Sequence, residues 1–369
     1  MRKINLRLGS RSYPIYIGHD IIDRIADFVK PPLLKRPILI VTNKKINALI
    51  GRKLAKRLLS ITASVHTEVV PDSERAKSFG VYNRIIAHLS KIGRKEIPLI
   101  IALGGGVVGD VAGFAASTYR RGIPYIQLPT TLLAQVDSSI GGKVAVDIPQ
   151  AKNMVGSFYQ PRTVISDTKV LKTLPDREIR NGMAEIIKYG VIRDASLFKY
   201  LEKNLKGIMG LKRACIETVI SKCARIKAAV VEKDEFDVKG ERAILNFGHT
   251  FGHAIEASFK YSKKYTHGEA VSIGMVLASE MSLKLGLINK SEVIRIKRLL
   301  KRAHLPLKAK RINFKKVLYA LNFDKKFSGG TNRFVLPRKI GQVGLVEDVP
   351  EFLIETVLSE SLYPQNMLF

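Results

Sequence analysis

The first half of the chain alternates short apolar runs with amphipathic stretches. In chain order, the strand-like runs are INLRLG, YPIYIG, PILIVTN, ASVHTEVV, PLIIAL and YIQLPTT. The first two predict a hairpin across SRS, and helical patterns such as AKSFGVYNRIIAHLSKIG (residues 76–93) separate several of the others. Apolar strands that alternate with helices are typical of a parallel sheet covered by helices. The first half is therefore predicted to be an α/β domain.

The pattern changes near residues 170–180, around VLKTLPDRE. The segments beyond this point repeat apolar residues with helical periodicity and offer few strand candidates. They are REIRNGMAEIIKYGVI, SLFKYLEKNLKGIMG, LKRACIETVISKCARIKAAVVEKDE and HGEAVSIGMVLASEMSLKLG. We predict two domains, an α/β domain over residues 1–175 and an all-α domain over residues 176–369.

The charge balance is strongly basic, with 62 lysines and arginines against 32 acidic residues and a formal net charge of +30. Such an excess favours anionic substrates or polyanionic partners. The densest basic stretch, residues 290–316, interleaves its cations with apolar residues such as Ile296, Leu299 and Leu305, a pattern typical of amphipathic helices with one solvated face. No zinc-finger, KH or RNP pattern accompanies the cations, so nucleic-acid binding depends on charge alone and is not predicted.

Neither a targeting segment nor a thiol site is predicted. The N-terminal MRKINLRLG has no apolar stretch to act as a signal peptide, and the longest apolar run, residues 97–109, is too short to span a bilayer. Cys215 and Cys223 are eight residues apart in a predicted helix, which puts their backbones roughly 12 Å apart, too far for a disulfide. We expect a soluble, cytoplasmic protein with two inert thiols.

A glycine-rich turn follows the apolar strand PLIIAL. Gly104, Gly106 and Gly109 have the G-x-G-x-x-G spacing of the dinucleotide fingerprint, between a strand and a run of small residues that suits a helix. Such glycines let the backbone approach a pyrophosphate at a helix N-terminus. The acidic residue expected about 20 positions later is missing, because that region reads YIQLPTTLL. The turn is either a variant nucleotide site or a packing turn.

Cations are concentrated in residues 118–161, a segment rich in glycine and proline that we predict to be loop apart from the strand candidate YIQLPTT. It carries Arg120, Arg121, Lys143, Lys152, Asp137 and Asn153. Loops at the carboxyl edge of a sheet are where α/β proteins bind ligands, and converging cations suit a phosphate and a carboxylate. The alternative is that these are scattered surface cations.

The second half offers candidate metal ligands. Three of the seven histidines, His249, His253 and His267, lie in LNFGHTFGHAIE and THGEA, and Glu185 lies in NGMAEIIKYG. A catalytic zinc site commonly uses three protein ligands that mix histidine with carboxylate. Glu185, His249 and His267 meet this requirement if three helices converge, whereas His249 with His253 is the local alternative. Capping or core histidines remain the non-metal interpretation.

Taken together, these motifs resemble the 3-dehydroquinate synthase family of sugar-phosphate cyclases over nearly the whole chain. The matching stretches include GGGVVGDVAGFAAS, RGIPYIQLPTTLLAQVDSSIGGK, KNMVGSFYQP, TLPDREIRNGMAEIIKYG, LNFGHTFGHAIE, HGEAVSIGM and RFVLPRKIGQV. The resemblance implies an N-terminal Rossmann-like domain, a helical C-terminal domain, bound NAD, a catalytic zinc or cobalt ion and a homodimer. It also implies that Glu185, His249 and His267 are the metal ligands and that His253 contacts substrate.

The remaining roles follow from the resemblance by position. The implied nucleotide set is Glu74, Lys77, Gly105, Gly106, Val107, Asp110, Thr130, Thr131, Asp137, Lys143, Lys152, Thr173 and Leu174. The implied catalytic and substrate set is Arg121, Asp137, Lys143, Lys152, Asn153, Lys188, Lys227, Arg242, Asn246, His253 and Lys326. Asp147 and Ala151 stand where family members often carry asparagine and glycine.

The family converts 3-deoxy-D-arabino-heptulosonate 7-phosphate (DAHP) into 3-dehydroquinate and phosphate, the second step of the shikimate pathway. The reaction combines transient oxidation by NAD, phosphate elimination, re-reduction and an intramolecular aldol closure, so it is redox-neutral. Two enzyme alternatives are another NAD- and metal-dependent sugar-phosphate cyclase and a polyol or iron-type alcohol dehydrogenase. A basic nucleic-acid-binding protein would account for the charge but would have no use for metal ligands.

Overall fold

A computed structural model describes residues 1–149, 151–259, 264–310, 312–327 and 331–362, without the side chains of 322–327 and 361–362. The chain divides into two compact units. The first unit comprises Met1–Pro175 and Ile216–Phe236, and the second comprises Asp176–Cys215 and Asp237–Phe369. The predicted single boundary at 175/176 therefore coincides with one division of the chain but does not account for the segment Ile216–Phe236.

Strands dominate the early part of the chain and helices the later part. The described strands are β1 (Arg2–Leu6), β2 (Tyr13–Gly18), β3 (Ile38–Asn43), β4 (Val65–Val70), β5 (Leu99–Gly104), β6 (Tyr125–Pro129), β7 (Lys143–Ile148), β8 (Ala151–Phe158), β9 (Val164–Asp167), β10 (Arg333–Lys339) and β11 (Gln342–Glu347). The described α-helices are α1 (Pro31–Leu34), α2 (Lys44–Ile46), α3 (Arg52–Leu58), α4 (Phe79–Ile92), α5 (Gly106–Thr118), α6 (Asp176–Ile192), α7 (Ala195–Met209), α8 (Arg213–Lys233), α9 (His249–Ser258), α10 (His267–Lys284), α11 (Lys290–Arg302), α12 (Phe314–Phe327) and α13 (Glu351–Leu362).

The first unit is built on a seven-stranded sheet with the strand order β1-β2-β9-β6-β5-β3-β4. The N-terminal hairpin β1–β2 is antiparallel, and the other described pairings are parallel. The chain passes outward from β3 to β4 and returns on the other side of β3 as β5. The carboxyl ends of β3 and β5 therefore form a topological switch point, the position at which α/β sheets bind ligands.

Both faces of this sheet are buried, which accounts for the continuous apolar runs in the sequence. Leu39 and Val41 of β3 pack into one core with α4 and α5, whereas Ile38 and Ile40 pack into a second core on the opposite face. This alternation follows from the two-residue period of a strand, and parallel sheets covered on both sides lack a polar face. The prediction of a helix-covered parallel sheet is confirmed.

The second unit is helical, as predicted, and it also contains the antiparallel hairpin β10–β11. That hairpin was not predicted, because RFVLPRK and QVGLVE carry charges and a glycine that obscure the strand pattern. In α11, Ile296, Leu299 and Leu300 are buried, so the basic stretch forms an amphipathic helix as expected. No helix among the described residues is long and apolar enough to cross a membrane.

Two features of the first unit differ from the sequence analysis. The strands β7 and β8 pair as an antiparallel hairpin, where loop was predicted. All of α8 beyond its first three residues belongs to the first unit, where Thr218 accepts a hydrogen bond from Arg2 at 2.8 Å and Glu235, just after the helix, pairs with Arg11 at 2.6 Å. Cys215 and Cys223 both lie in α8 and are buried free thiols, as expected.

Candidate metal and nucleotide sites

Glu185 and two histidines form a compact cluster in the second unit. Glu185 lies in the middle of α6, whereas His249 and His267 are the first residues of α9 and α10. The Nε2 atoms of His249 and His267 lie 3.6 and 3.7 Å from Glu185 Oε1. One ligand atom from each of the three residues falls within 4.8 Å of the others, so the cluster has the dimensions of a metal site.

The other ring nitrogen of each histidine faces an oxygen acceptor. His249 Nδ1 lies 3.2 Å from the carbonyl oxygen of Phe247, and His267 Nδ1 lies 3.4 Å from Glu256 Oε2. A carbonyl or carboxylate oxygen can only accept, so each Nδ1 carries the proton. When a metal takes the place of the second ring proton, Nε2 supplies the lone pair on the side of Glu185, and Nδ1–H is the tautomer that this requires.

Burial shapes the electrostatics of the cluster. Burial would raise the pKa of Glu185, but Lys188 and the two histidines outweigh it and hold that pKa well below its usual range. Burial, reinforced by the charge of Lys188, lowers the pKa of His249 far below its usual value. Burial opposes protonation of His267 as well, but its contacts with Glu185 and Glu256 raise its pKa to about 10. The cluster thus keeps one carboxylate ionised in the interior.

Close packing between α6, α9 and α10 fixes the positions of His249 and His267 at the starts of α9 and α10. A Cβ at Gly274 of α10 would overlap the carbonyl of Gly248, the residue that precedes His249 and has φ +79°. The first turn of α10 is held to α6 by the Gly268 amide, which donates to Asn181 Oδ1 at 2.6 Å. Asn181 lies one turn before Glu185 on α6, so the same contacts that pack the helices place the ligands.

Several other predicted residues lie near this cluster in the second unit. Lys188 is 2% exposed, and its Nζ lies against Glu185 Oε2. The ring centroid of His253 is 5.4 Å from that of His249. Arg242, which is buried, and Asn246 lie in the 3₁₀ segment Glu241–Asn246 just before α9. The side chain of Lys326 lies outside the described residues.

A glycine cradle lies at the switch point of the first unit. Gly105 caps α5, and a Cβ at Gly106 would lie 2.8 Å from Ser138 Oγ. The first amides of a helix have no intrahelical acceptor and attract anions. The Oγ atoms of Thr130 and Ser138 are buried and have no hydrogen-bond partner among the described residues. Val107 lies in the first turn of the same helix.

A cluster of charges surrounds Lys77 in the first unit. Lys77, which is 4% exposed, donates to Asp110 Oδ2 at 2.7 Å and contacts Asn153 Oδ1. Burial raises the pKa of Asp110 to about 6, although Lys77 partly offsets it. Burial alone would lower the pKa of Lys77. The pKa is raised instead, because the negative charges of Asp110, Glu74 and Asp147 outweigh the effect of burial.

The hairpin β7–β8 carries three predicted residues next to this cluster. Lys152 Nζ lies 3.3 Å from Glu74 Oε1, and Asn153, at φ +57°, donates its amide to Asp147 Oδ1 at 2.9 Å. Lys143, at the start of β7, has its Nζ 5.9 Å from the ring centroid of Phe158. A hairpin, rather than a loop, therefore presents these side chains.

Lys227 and Asp137 meet because α8 from Ile216 onward belongs to the first unit. Lys227 Nζ donates to Asp137 Oδ1 at 2.8 Å and to the Asp137 carbonyl at 2.7 Å. Thr131 follows β6, and its Oγ1 accepts a hydrogen bond from the Ala134 amide at 3.1 Å. Thr173 and Leu174 lie at the end of the 3₁₀ segment Thr168–Thr173.

Arg121 is not brought to the cradle within the first unit. It lies in the 3₁₀ turn that follows the C-terminal end of α5, whereas Gly105 and Gly106 lie at the N-terminal end. The 13 residues of α5 span about 20 Å. Arg121 has φ +61°, so the turn holds it in the left-handed region.

The residues present fit the cofactors that the motifs imply. Glu185 Oε2 lies against the Lys188 ammonium, whereas Oε1 is buried, has no hydrogen-bond partner among the described residues and faces the Nε2 atoms of both histidines, an arrangement that a bound cation would satisfy. At the switch point, the glycine cradle and the unpartnered hydroxyls of Thr130 and Ser138 provide the space and the polar groups that a dinucleotide needs.

Comparison with known families decides the assignment. A model of the 3-dehydroquinate synthase N-terminal domain matches residues 67–181, and a model of the C-terminal domain matches residues 182–327. The chain belongs to the 3-dehydroquinate synthase family. The resemblance seen in the motifs is thereby confirmed.

Individual relatives of this dehydroquinate synthase family member are close in sequence and structure. A curated 3-dehydroquinate synthase from Shewanella frigidimarina is 45% identical over 97% of this chain and 99% of its own. The structure of a 2-epi-5-epi-valiolone synthase from Streptomyces hygroscopicus subsp. jinggangensis, with NAD⁺ and Zn²⁺ bound, has a TM-score of 0.86 at 28% identity and covers 97% of this chain and 98% of that chain. A 2-deoxy-scyllo-inosose synthase complexed with carbaglucose-6-phosphate, NAD⁺ and Co²⁺ has a TM-score of 0.88 at 26% identity, covering 98% and 100%.

Three residues in these sites were not assigned a role from the sequence. Asp147 and Ser138 lie in the segment that was predicted to be loop, so nothing indicated where their side chains would lie. Glu256 could have been found, because it follows His249 by seven residues and therefore lies two helical turns away on the same face.

Proposed function

We propose that the protein is a 3-dehydroquinate synthase, a phosphate-eliminating carbon–oxygen lyase that converts DAHP into 3-dehydroquinate and phosphate. The observation that carries this proposal is the 45% identity to a curated 3-dehydroquinate synthase over 97% of the chain. Identity to the valiolone and inosose synthases is only 28% and 26%. The shikimate-pathway reaction is therefore favoured over the reactions of other cyclases.

The second unit would hold the metal through Glu185, His249 and His267. When bound, a zinc or cobalt ion supplies Lewis acidity to substrate hydroxyls and NAD supplies a reversible hydride acceptor. Lys188, buried against Glu185, would donate to substrate oxygens close to the ligands. Arg242, Asn246, His253 and Lys326 are proposed as further substrate contacts.

The first unit would bind NAD at the switch point and supply anion-binding groups. The α5 N-terminus and the cradle of Gly105 and Gly106 suit a pyrophosphate. Glu74, Lys77, Val107, Asp110, Thr130, Thr131, Thr173 and Leu174 are proposed as the other nucleotide contacts. Lys143, Lys152, Asn153 and Lys227 are proposed to bind the anionic groups of the substrate, with Asp137 positioning Lys227 through their 2.8 Å contact. Arg121 is proposed as a further substrate contact.

The assay is phosphate release from DAHP by purified, metal-stripped protein to which zinc and NAD are restored. We expect phosphate and 3-dehydroquinate in equal amounts, with no net NADH, because the reaction is redox-neutral. The variant Glu185→Gln should lose turnover, while Glu280→Gln, on the far part of α10, should retain it. Folded, zinc-loaded wild type that releases no phosphate, or that accumulates NADH, would reject this function.

We further propose that the protein acts as a cytoplasmic homodimer, as the family resemblance implies. Light scattering coupled to size-exclusion chromatography measures the mass directly. A mass of twice the 41.1 kDa chain is expected, and the mass of a single chain would contradict the dimer.

A further inference from the structure

Helix α9 presents three polar side chains along one face. His249, His253 and Glu256 are spaced by four and three residues, so they follow one another along the same side of the helix. His249 belongs to the candidate metal group, and the Glu256 carboxylate reaches His267, the first residue of α10. The side chain of Glu256 is 15% exposed, so it is largely removed from solvent.

The His267 ring lies between two carboxylates. Its Nε2 is 3.7 Å from Glu185 Oε1, and its Nδ1 is 3.4 Å from Glu256 Oε2. A neutral imidazole has one N–H and one lone pair, so only one of these nitrogens can bind a metal. With Nδ1–H donating to Glu256, Nε2 is the nitrogen left to face Glu185.

We infer that Glu256 is a positioning residue for the metal ligand His267. This inference rests on the proposed function only in taking Glu185, His249 and His267 as the metal site. Hydrogen-bonded partners of metal-bound histidines fix the tautomer and ring orientation and raise the basicity of the ligand. Glu256 does this for His267 through a side chain, and therefore can be tested by substitution.

The two histidines differ in how much they depend on such a partner. His249 is 12% exposed, and its Nδ1 is oriented by the backbone carbonyl of Phe247. His267 is 30% exposed, so packing restricts its ring less and the hydrogen bond must do more of the positioning. Glu256 is therefore the contact on which the geometry of the metal group depends most.

A competing arrangement would use Glu256 as a metal ligand itself. His253, Glu256 and His267 also have ligand atoms within 4.8 Å of one another. However, this group is more exposed than the Glu185 group, and it would require His267 Nδ1 as a ligand in place of a proton donor. Glu185 is 1% exposed, and its Oε1 has no hydrogen-bond partner among the described residues although it faces two histidine Nε2 atoms, so this group has the greater need of a cation.

The test compares zinc binding by Glu256→Ala and Glu256→Gln with wild type, using competition against a chromophoric chelator. Glu256→Ala should bind one zinc ion about 10- to 100-fold more weakly. Glu256→Gln should stay within a few-fold of wild type, because the amide oxygen still accepts from Nδ1–H. Glu280→Ala is the matched control. Glu280 lies on α10 about 20 Å along the axis from His267 and is paired with Lys297, so its loss should leave zinc affinity unchanged.

Other outcomes overturn the inference. Unchanged zinc affinity in Glu256→Ala would show that Glu256 does not position His267. Loss of one ion of two, or equal damage from Gln and Ala, would show that Glu256 is a ligand. Zinc affinity is measured without substrate, so a failure here leaves the phosphate-release result intact, and the reverse also holds.

A second measurement needs no variant. In zinc-loaded wild type labelled with ¹⁵N-histidine, His267 should be the tautomer with a proton on Nδ1 and the metal on Nε2. The opposite tautomer would contradict the role of Glu256, even if Glu256→Ala failed to fold.

Discussion

The carboxylates of buried Glu185 and partly buried Asp110 have pKa values shifted in opposite directions, and the balance of neighbouring charges explains the difference. Glu185 faces Lys188 and two histidines, and these groups keep its pKa well below the usual range despite burial. Asp110 faces one lysine while Glu74 and Asp147 repel its charge, so burial prevails and its pKa rises to about 6. The first arrangement keeps its carboxylate ionised well below neutral pH, as a metal ligand needs, whereas the second delays ionisation until the pH approaches 6.

Asp110→Asn should become progressively more stable relative to wild type between pH 4 and pH 7. Because the folded-state pKa of Asp110 is raised, its contribution to stability is complete below its unfolded pKa and is lost as the pH rises towards 6. Asparagine does not titrate, so between pH 4 and pH 7 the unfolding free energy of the variant should rise relative to wild type by on the order of 2 kcal/mol. Urea unfolding of the cofactor-free proteins at each pH measures it.

Asp20→Asn provides a control with the opposite sign. The hydrogen bond from Lys169 lowers the pKa of Asp20, so its contribution is present at neutral pH and lost on acidification. This variant should therefore lose stability relative to wild type as the pH rises, and only slightly, because the pair is exposed. A difference between Asp110→Asn and wild type that does not vary with pH would contradict the raised pKa.

At the scale of helices and strands, local patterns predicted the elements whose side chains face a core. The strands β3 and β5 were readable because both of their faces are apolar, and α6, α7 and α10 because their periodicity persists over several turns. The hairpin β7–β8 was missed because Lys143, Asp147 and Asn153 interrupt any alternation. The polar side chains that suit these residues to ligand binding are the same ones that interrupt the apolar alternation of a strand.

The division of α8 between the two units could not be predicted from periodicity. Helical spacing identifies the apolar side of a helix but not the unit against which that side packs. Lys227 illustrates the consequence, since its pairing with Asp137 joins residues 90 positions apart in the chain. The structure brings together Glu185, His249 and His267, the three residues that the resemblance implied as metal ligands, whereas spacing alone also allowed His249 with His253.

The contact between α9 and α10 depends on glycine at position 274. Gly274→Ala would place a Cβ on the Gly248 carbonyl and push apart the helices that carry His249 and His267. We expect a loss of about 2–4 kcal/mol in unfolding free energy, since backbone cannot yield as a flexible side chain does. Gly80→Ala in α4 is the control, because its nearest neighbour would be 3.9 Å away and helical alanine is favoured over glycine. Equal stability of the two variants would reject the packing argument.

At the scale of the whole molecule, the net charge of +30 matches the anionic substrate of the proposed reaction. A field of this sign raises the local concentration of anions and accelerates their capture, without changing the steps that follow binding. Part of the charge lies on residues outside the proposed sites, for example on the exposed side of α11, where Lys290, Lys301 and Arg302 are all exposed. The contribution of these cations to substrate capture can therefore be separated by mutation from that of the cations in the proposed sites.

Raising the ionic strength from 0.01 M to 0.1 M shortens the screening length from about 30 Å to about 10 Å. Over this range kcat/KM should fall roughly 3- to 10-fold while kcat stays nearly constant, because screening slows capture and not chemistry. Replacing Lys290, Lys301 and Arg302 together by glutamate should reduce the salt dependence of kcat/KM. The matched triple change to glutamine should reduce it by about half as much, because each glutamate changes the net charge by two units and each glutamine by one. If all three proteins showed the same salt dependence, these cations of α11 would have no part in substrate capture. The salt effect would then arise from the lysines and arginines of the proposed sites themselves.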